Sequence, residues 1–444
     1  MSLKLLHRAS WLGCWALAAC TAYHPAPLAT VPPLHDRLND VRHMRTDSSV
    51  IAVDAPLSLA DVAALAVLND PDLVAARAQH AVAAADLLSA GLPPDPSITG
   101  GFAALLSGPG TIPAISAGLT QDIGALITYR VDRQAAKAGL AQVDAGILWQ
   151  EWQVASQAEQ LAITLAADQA VVASLQNETA TLAAIDAETQ KQIARSNQTM
   201  ADGATSLAAL ATAQTALDTA TQTTAHDRDQ LDALLGLQPG TELPLAPPAV
   251  APLAHSVLAP AIATLAQRRP DLIALRYGYD QADAKLRAAI LTQFLPISLG
   301  ATGGRDTSGV NSAGPQVTLN LPLFNRNRGG IASASATRAA LAAQYQASLA
   351  GAVGGAESLS ASIALLQTQA AAAGAEADQA AAMAAAARQA FAEGNLSAPA
   401  FASLQNTAGE RQRAAITLHT QLQTAEISLA TMLGLGLPPL KDSP

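Results

Sequence analysis

The sequence predicts a mainly α-helical chain with a small β part, built from long helical hairpins accompanied by four short strands. Three observations carry this. Hydrophobic residues make up 50% of the 444 residues while aromatics are 3% and charged residues 14%, and alanine fills the gap. Alanine is the strongest helix former and lets helices approach closely, although a core built on it gains little from large side chains. From about Leu126 to Pro239 the chain carries no proline, a stretch far longer than an ordinary globular helix. The third observation is that the chain repeats itself.

The repeat is clearest in "NDPDLVAARAQ" (Asn69–Gln79) and "RRPDLIALRYG" (Arg268–Gly278), where Pro71, Asp72, Leu73, Ala75 and Arg77 match Pro270, Asp271, Leu272, Ala274 and Arg276 at an offset of 199. At an offset of 200, Pro96, Gly100 and Leu119 match Pro296, Gly300 and Leu319. "ADGATSLAALATAQ" (Ala201–Gln214) and "AEGNLSAPAFASLQ" (Ala392–Gln405) align at 191, setting Gly203 against Gly394 and Ser206 against Ser397. The chain thus reads as a tandem duplication. The first repeat spans 57–237, a proline-rich linker 238–258, the second repeat 259–437 and a short tail 438–444.

Each repeat follows one plan. Ser58 to Asp61 resembles a capping box and opens a short helix, which Asp70-Pro71 interrupts. A second helix runs to about Ala90, where "GLPPDP" breaks it. Ser97 to Leu106 is extended, "SGPGTIP" is a loop, and Ile115, Ala117 and Leu119 alternate with small polar residues as in a strand. A helix of roughly 75 residues, about 110 Å long, follows. It turns near Asp202-Gly203 and a shorter helix returns. In the second half the helix before the strands ends near Phe294. Pro296 to Gly303 and Pro315 to Leu323 are the strands. The long helix spans about Gly330 to Ala392, turns at Glu393-Gly394, and the return helix ends at Leu433-Gly434.

The only cysteines, Cys14 and Cys20, lie in the N-terminal twenty residues. Lys4 and Arg8 precede a short apolar run ending Leu17-Ala18-Ala19-Cys20, which resembles a bacterial lipobox. Residues 1–19 are expected to be a signal peptide and Cys20 the lipidated first residue of the mature chain. The alternative is an ordinary signal peptide with a chance cysteine. Thr21 stands where an aspartate would favour inner-membrane retention, so by resemblance sorting is to the outer membrane. Residues 20–56, rich in proline and histidine, read as a tether. The lipid anchors without spanning.

The formal charge of −10 argues against a nucleic-acid partner. No run of eighteen apolar residues follows the leader, so no transmembrane helix is expected. Two strands per half cannot bury their edges alone, and a lipid-facing sheet must close. Three chains would supply twelve strands, an even number suited to an outer-membrane barrel.

At this point the chain resembles an outer-membrane factor of the TolC family, over essentially everything after residue 56. The duplicated Pro-Asp-Leu segments, the two glycine turns and "LNLPLFNRNRGGIASASA" (Leu319–Ala336) carry the resemblance, and Asn325-Arg326-Asn327-Arg328-Gly329 looks most like the subgroup serving heavy-metal efflux pumps. The resemblance implies a homotrimeric conduit. It would cross the outer membrane as a 12-stranded β-barrel, embedded in outer-membrane lipid, and the periplasm as a helical tunnel. It would dock on a periplasmic adaptor and serve an inner-membrane RND-type pump, passing metal cations, drugs or another compound.

The periplasmic tips are expected at Gly203 and Gly394, with Ser206 and Ser397 capping the return helices. Adaptor contact would involve Leu207, Leu210, Ala398 and Phe401; the plainer reading is a capped hairpin. The family's gate often carries acidic rings near the second tip, but Ala398 to Ser403 contains no acid. Phe391, Phe401 and Leu404 are therefore candidates for an apolar gate, beside Arg388 and Glu393, or else pack between helices. Asp72 with Arg77, and Asp271 with Arg276, are expected to tie neighbouring helices. Arg326 and Arg328 contact lipid headgroups, line the tunnel mouth or are simply solvated.

Enzyme signatures are absent: there is no His-Glu-x-x-His, no Gly-x-Ser-x-Gly and no phosphate loop. "HDRDQLD" (His226–Asp232) spreads its groups around a helix and reads as a solvated face, and His24, His35 and His43 are scattered. No cofactor is expected beyond the covalent lipid. The competing class is a periplasmic coiled-coil spacer lipoprotein without a pore.

Overall fold

The computed structural model describes residues 23–42, 51, 55–104, 106–107, 112–294, 297–319 and 324–436. The signal peptide, Cys20, His43, Leu321 to Leu323 and the tail lie outside the described residues. The chain divides into two units, Met1–Leu34 and His35–Pro444. The described part of the first, residues 23–34, carries no helix or strand.

In the second unit, α1 (Leu59–Asn69) and α2 (Pro71–Ala90) lead into β1 (Ser97–Ala103) and β2 (Ala114–Asp122). The helix α3 (Ile123–Ala194) and its return α4 (Met200–Leu234) follow, then α5 (His255–Ala263), α6 (Leu265–Arg268) and α7 (Pro270–Leu291). The strands β3 (Ile297–Arg305) and β4 (Asn311–Leu319) precede α8 (Arg328–Ala392) and α9 (Ala398–Met432). At 72 residues, α3 is about 110 Å long.

The duplication is visible in the packing. Helix α3 packs against α4, and α8 against α9, as the two hairpins. Helix α2 lies on α3, and its counterpart α7 lies on α8 but also on α3; α9 lies on α8 and also on α3. The second-repeat helices thus bridge to the first repeat, whereas α2 and α4 face outward at one edge and α8 at the other.

The four long helix ends share one termination. At each, the residue after the C-cap is left-handed and two backbone bonds close the last turn, a Schellman motif. The left-handed residues are Ser196 (φ 61°), Gly236 (67°), Gly394 (75°) and Gly434 (63°). At the second tip, Asn395 N–H donates to Ala390 (2.8 Å) and Gly394 N–H to Phe391 (3.0 Å); at the first, Asn197 donates to Gln192 (2.9 Å) and Ser196 to Ile193 (2.8 Å).

This corrects the expected first turn. Residues 195–199 make it, and Gly203 lies inside α4, buried. The structural counterpart of Gly394 is Ser196, an offset of 198 that agrees with the rest of the duplication. The α4 cap is Thr199, which forms a capping box with Asp202, not Ser206. Gly203 serves close approach instead: a Cβ there would lie 2.6 Å from Ile193 Cδ1.

Two other expectations change. The tether is docked from His35 onward. Leu38, Val41, Ile51 and Leu57 are buried in a core with α1, α3 and α4, around Leu65, Leu165, Leu231 and Leu235. Short parallel bridges tie His35 to Leu237, the last residue of the first repeat, and Leu57, its first, to Leu245 in the linker. The fourth strand starts four residues earlier than expected, with Pro315 inside it opposite Ala301. Proline is tolerated there because β4 is an edge strand. Against the expectation of no spanning helix, α8 contains a window apolar enough to cross a membrane, 17% of it buried. Its hydropathy comes from alanine, and the helix packs in a hairpin.

Candidate functional site

The sheet is four-stranded and antiparallel in the order β1-β2-β3-β4, leaving β1 and β4 as edges. Its register sorts the side chains into two unlike faces. Ile98 pairs with Leu119 and Phe102 with Ile115. Leu119 pairs with Ala301 and Gln121 with Leu299. Leu299 pairs with Val317, Ile297 with Leu319 and Ala301 with Pro315. Directly paired residues share a face, so one face carries Ile98, Phe102, Ile115, Leu119, Leu299 and Val317, with Gln121 towards one end and Arg305 and Asn311 at the other. The opposite face carries Ser97, Thr99, Ser116, Gly118, Thr120, Ser298, Thr302, Ser312, Gln316 and Thr318. Phe102 is 70% exposed and Val317 59% exposed, so the apolar face has no cover within the chain. Three strands of nine residues match the length a tilted strand needs to cross a bilayer.

At the other end, the tips meet at an apolar cluster drawn from all four long helices. Leu182 and Ile185 come from α3, Ala213 from α4, Ala387 from α8, and Ala398, Phe401 and Ala402 from α9, with Leu210, Phe391, Leu396 and Leu404 at its margin. The Phe391 and Phe401 rings stack 4.8 Å apart at 12°. Phe401 is 4% exposed. The aromatic pair therefore packs between helices, the alternative reading, and does not face open space in this conformation. Of the expected adaptor-facing residues, Leu207, Gly394 and Ser397 are exposed, Leu210 is half-buried, and Gly203, Ser206, Ala398 and Phe401 are buried. Ser206 Oγ donates to Asp186 across the first hairpin, 2.5 Å. Ser397 makes no side-chain capping bond.

The expected Asp–Arg ties are rewired. Arg77 donates to Glu151 on α3 (Nη2–Oε1 2.7 Å) and to the Val67 carbonyl (2.6 Å), not to Asp72. Asp271 receives a bidentate pair from Arg269 (3.0 and 2.7 Å) rather than from Arg276. The Arg269 guanidinium also lies 4.7 Å from the Trp149 ring. Arg276 lies over Tyr277 at 5.7 Å. Arg77 still joins its helix to α3, through a partner 74 positions away, whereas the aromatic ring under Arg276 belongs to its neighbour in the chain.

Sequence reasoning missed several positions. Glu178 on α3 pairs with Arg413 on α9, mostly buried, and is the charged tie between the hairpins near the tips among the described residues. Gly409 makes room for it, since a Cβ there would meet Glu178 and Arg413. Asp232, expected within His226–Asp232 to lie on a solvated face, is instead fully buried; it accepts from Gly240 N–H (3.0 Å) and Thr241 N–H (3.1 Å) and so holds the linker. Burial pushes its carboxyl up to about 6, and Glu159 up to about 7. Asp168 is raised to about 6, first by burial and then by sharing a hydrogen bond and like charge with Asp227. Among the described residues no group of three His, Cys, Asp or Glu side chains is placed to hold a metal ion. The one local signal that would have located the first turn is Thr199-x-x-Asp202, a capping-box spacing.

Comparison with known proteins agrees with this geometry. Residues 261–435 match the model of the outer membrane efflux protein family. A search of curated proteins found no match. Among solved structures, the Campylobacter jejuni CmeC outer membrane channel is 17% identical, covering 96% of this chain and 96% of its own, with a TM-score of 0.75. The Vibrio cholerae outer membrane protein VceC is 18% identical over 85% of this chain and 96% of its own, at 0.71. CusC, described for its folding and transmembrane channel formation, is 16% identical over 94% and 100%, at 0.72. The TolC-family resemblance read from the sequence is thus met by the family model in the second repeat and by the fold over nearly the whole chain.

Proposed function

We propose that this chain, whose second repeat matches outer membrane efflux proteins and whose fold is that of TolC-family channels, is one subunit of a passive conduit across the outer membrane and periplasm. The observation that carries the reading is the two-faced sheet. An uncovered apolar face backed by a serine, threonine and glycine face suits a wall with lipid on one side and water on the other. A coiled-coil spacer has no use for it.

Internal symmetry supports closure by further copies. Within the chain β2 pairs with β3, the end of one repeat's sheet with the start of the next. Continued, this joins β4 to β1 of a neighbour. In the same way α7 and α9 lie on α3 within the chain, so α2 and α4 of a neighbour would lie on α8. Two copies would close eight strands, a barrel whose interior side chains fill. Three copies give twelve strands and room for a pore, which supports the homotrimer.

The remaining readings rest on the resemblance. They are docking of an adaptor on the tips, service to an inner-membrane RND-type pump, heavy-metal cations as cargo, and a lipid on Cys20. The metal reading draws on Asn325 to Gly329 alone. Within that motif Asn327 has a structural task, donating to Ala289 O (2.8 Å) and Thr292 Oγ1 (2.7 Å). A drug or other small molecule is the alternative cargo, and metal against drug tolerance of a strain lacking the protein separates them.

The test of the conduit is the mass of the purified protein in detergent with its conductance in a planar bilayer. A trimer with stepwise conductance is expected. A monomer that never conducts would leave the spacer lipoprotein.

A further inference from the structure

We propose that the loop from Phe324 to Arg328 is a membrane-docking surface that recognises anionic phospholipid headgroups at the periplasmic edge of the sheet. The proposal rests on the conduit reading for which side of the sheet faces lipid.

The loop is fixed but outward-facing. Arg326 and Asn327 both take left-handed backbone (φ 44° and 52°). Asn327 is half-buried, and its two bonds to Ala289 and Thr292 hook the loop onto the end of α7. Its neighbours point the other way: Phe324 is 95% exposed, and Arg326 and Arg328 are exposed. The hook brings this loop beside the segment that carries Phe294, itself 67% exposed. An anchored loop that shows an aromatic ring and two guanidinium groups is not explained by helix packing.

Two observations select the occupant. The patch flanks the apolar sheet face in the chain: Phe294 precedes β3 and Phe324 follows β4, whose Ile297 and Leu319 pair at that end of the apolar face. Aromatic rings at the end of an apolar band are characteristic of the membrane–water boundary. Charge is complementary to an anionic surface. The chain carries −10 overall, yet between Asp306 and Glu357 there is no acidic residue, while Arg326 and Arg328 fall within that stretch; Arg338, also there, is paired with Asp283 at 2.8 Å and adds nothing to the patch. Guanidinium groups match phosphate geometry, and each basic residue near an anionic leaflet adds to the attraction. A phenyl ring beside them sits at the acyl boundary.

The test uses the full-length purified protein in mixed phosphatidylglycerol–phosphatidylcholine nanodiscs, with co-retained lipid measured by native mass spectrometry after extraction. The wild type is expected to retain phosphatidylglycerol in preference by roughly thirtyfold, the scale of two arginines at an anionic surface. R326Q with R328Q should abolish the preference while trimer mass and conductance stay unchanged, and R326K with R328K should keep most of it. A preference that survives the glutamine pair overturns the proposal. So does its loss to millimolar inorganic phosphate, which would mean a free-anion site. An altered pore selectivity in the glutamine pair also overturns it, since the arginines would then face the tunnel mouth. A conducting trimer without lipid preference refutes this proposal alone, whereas lipid preference in a non-conducting monomer refutes the conduit alone.

Discussion

An arginine placed on either side of β2 should report which side meets lipid. Ala117 and Ser116 are adjacent, exposed and near the middle of the nine-residue strand, but on opposite faces. Ala117 lies between Gly100 and Gly303 on the apolar face, so no large neighbour could shield a charge there. A lipid-facing arginine near the bilayer midplane costs about 2–4 kcal/mol, so three copies would cost a trimer about 6–12 kcal/mol. Ser116 lies between Gly101 and Gly304 on the hydroxyl face, where an arginine remains hydrated at little cost. A117R should therefore sharply lower the temperature at which the purified trimer dissociates. S116R should leave that temperature nearly unchanged while shifting bilayer selectivity toward anions and reducing conductance. Equal losses of stability, or the reverse ranking, would refute the assignment of faces and the barrel with it.

Four further outcomes are expected. Asp232 is raised from 3.8 to about 6, so its contribution to stability is present below about pH 4 and is lost as pH rises through 6. D232N should gain on wild type by up to about 3 kcal/mol between pH 4 and pH 8, read from paired thermal unfolding curves; parallel curves would contradict the argument. E178A strands Arg413 in a mostly buried setting and should cost about 3 kcal/mol, whereas E178L with R413L should recover most of it in the same unfolding assay. F401A removes a buried ring from the tip cluster, costing about 3–5 kcal/mol. It should raise the resting conductance of a closed channel, and unchanged conductance would leave the ring a packing residue. C20S should abolish metabolic labelling with palmitate, and labelling that persists would remove the lipidated N-terminus.

Much of this fold was written in local pattern. Prolines and capping residues bounded the helices, and alternation at Ile115, Ala117 and Leu119 located β2. The failures have physical causes. Glycine's fitness for left-handed backbone points to Gly203 as the turn, but the chain places Ser196 there and uses the glycine for contact with Ile193. The Schellman bonds at that turn come from the backbone, which any side chain leaves available. The ties of Arg77 and Arg413, and the Arg269 contact with Trp149, were illegible because their partners are set by helix packing. Glu178 and Arg413, for instance, are 235 positions apart. The two-faced sheet could not be read until the register joined the strands, since each alone mixes glycine, alanine and serine with one or two large residues.

The repeats have kept their architecture but divided the work of holding the tips. The first turn is fixed by directional bonds: the Thr199–Asp202 capping box and the Ser206–Asp186 bond across the hairpin. The second has an uncapped Ser397; at its tip it is held by the Phe391–Phe401 stack, with Gln405 donating to the Ala384 carbonyl at 3.1 Å, and only farther up by the exposed Arg411–Glu376 pair at 2.9 Å. Apolar contact is non-directional and tolerates sliding, whereas hydrogen bonds and ion pairs fix register. Displacing either hairpin against the other leaves the bonds within each turn intact and breaks Glu178–Arg413, the charged tie between them. The same pair that stabilises this packing therefore resists separation of the tips, so on the conduit reading E178A should ease opening as well as lower stability, while an equal loss of stability elsewhere in α3 should not.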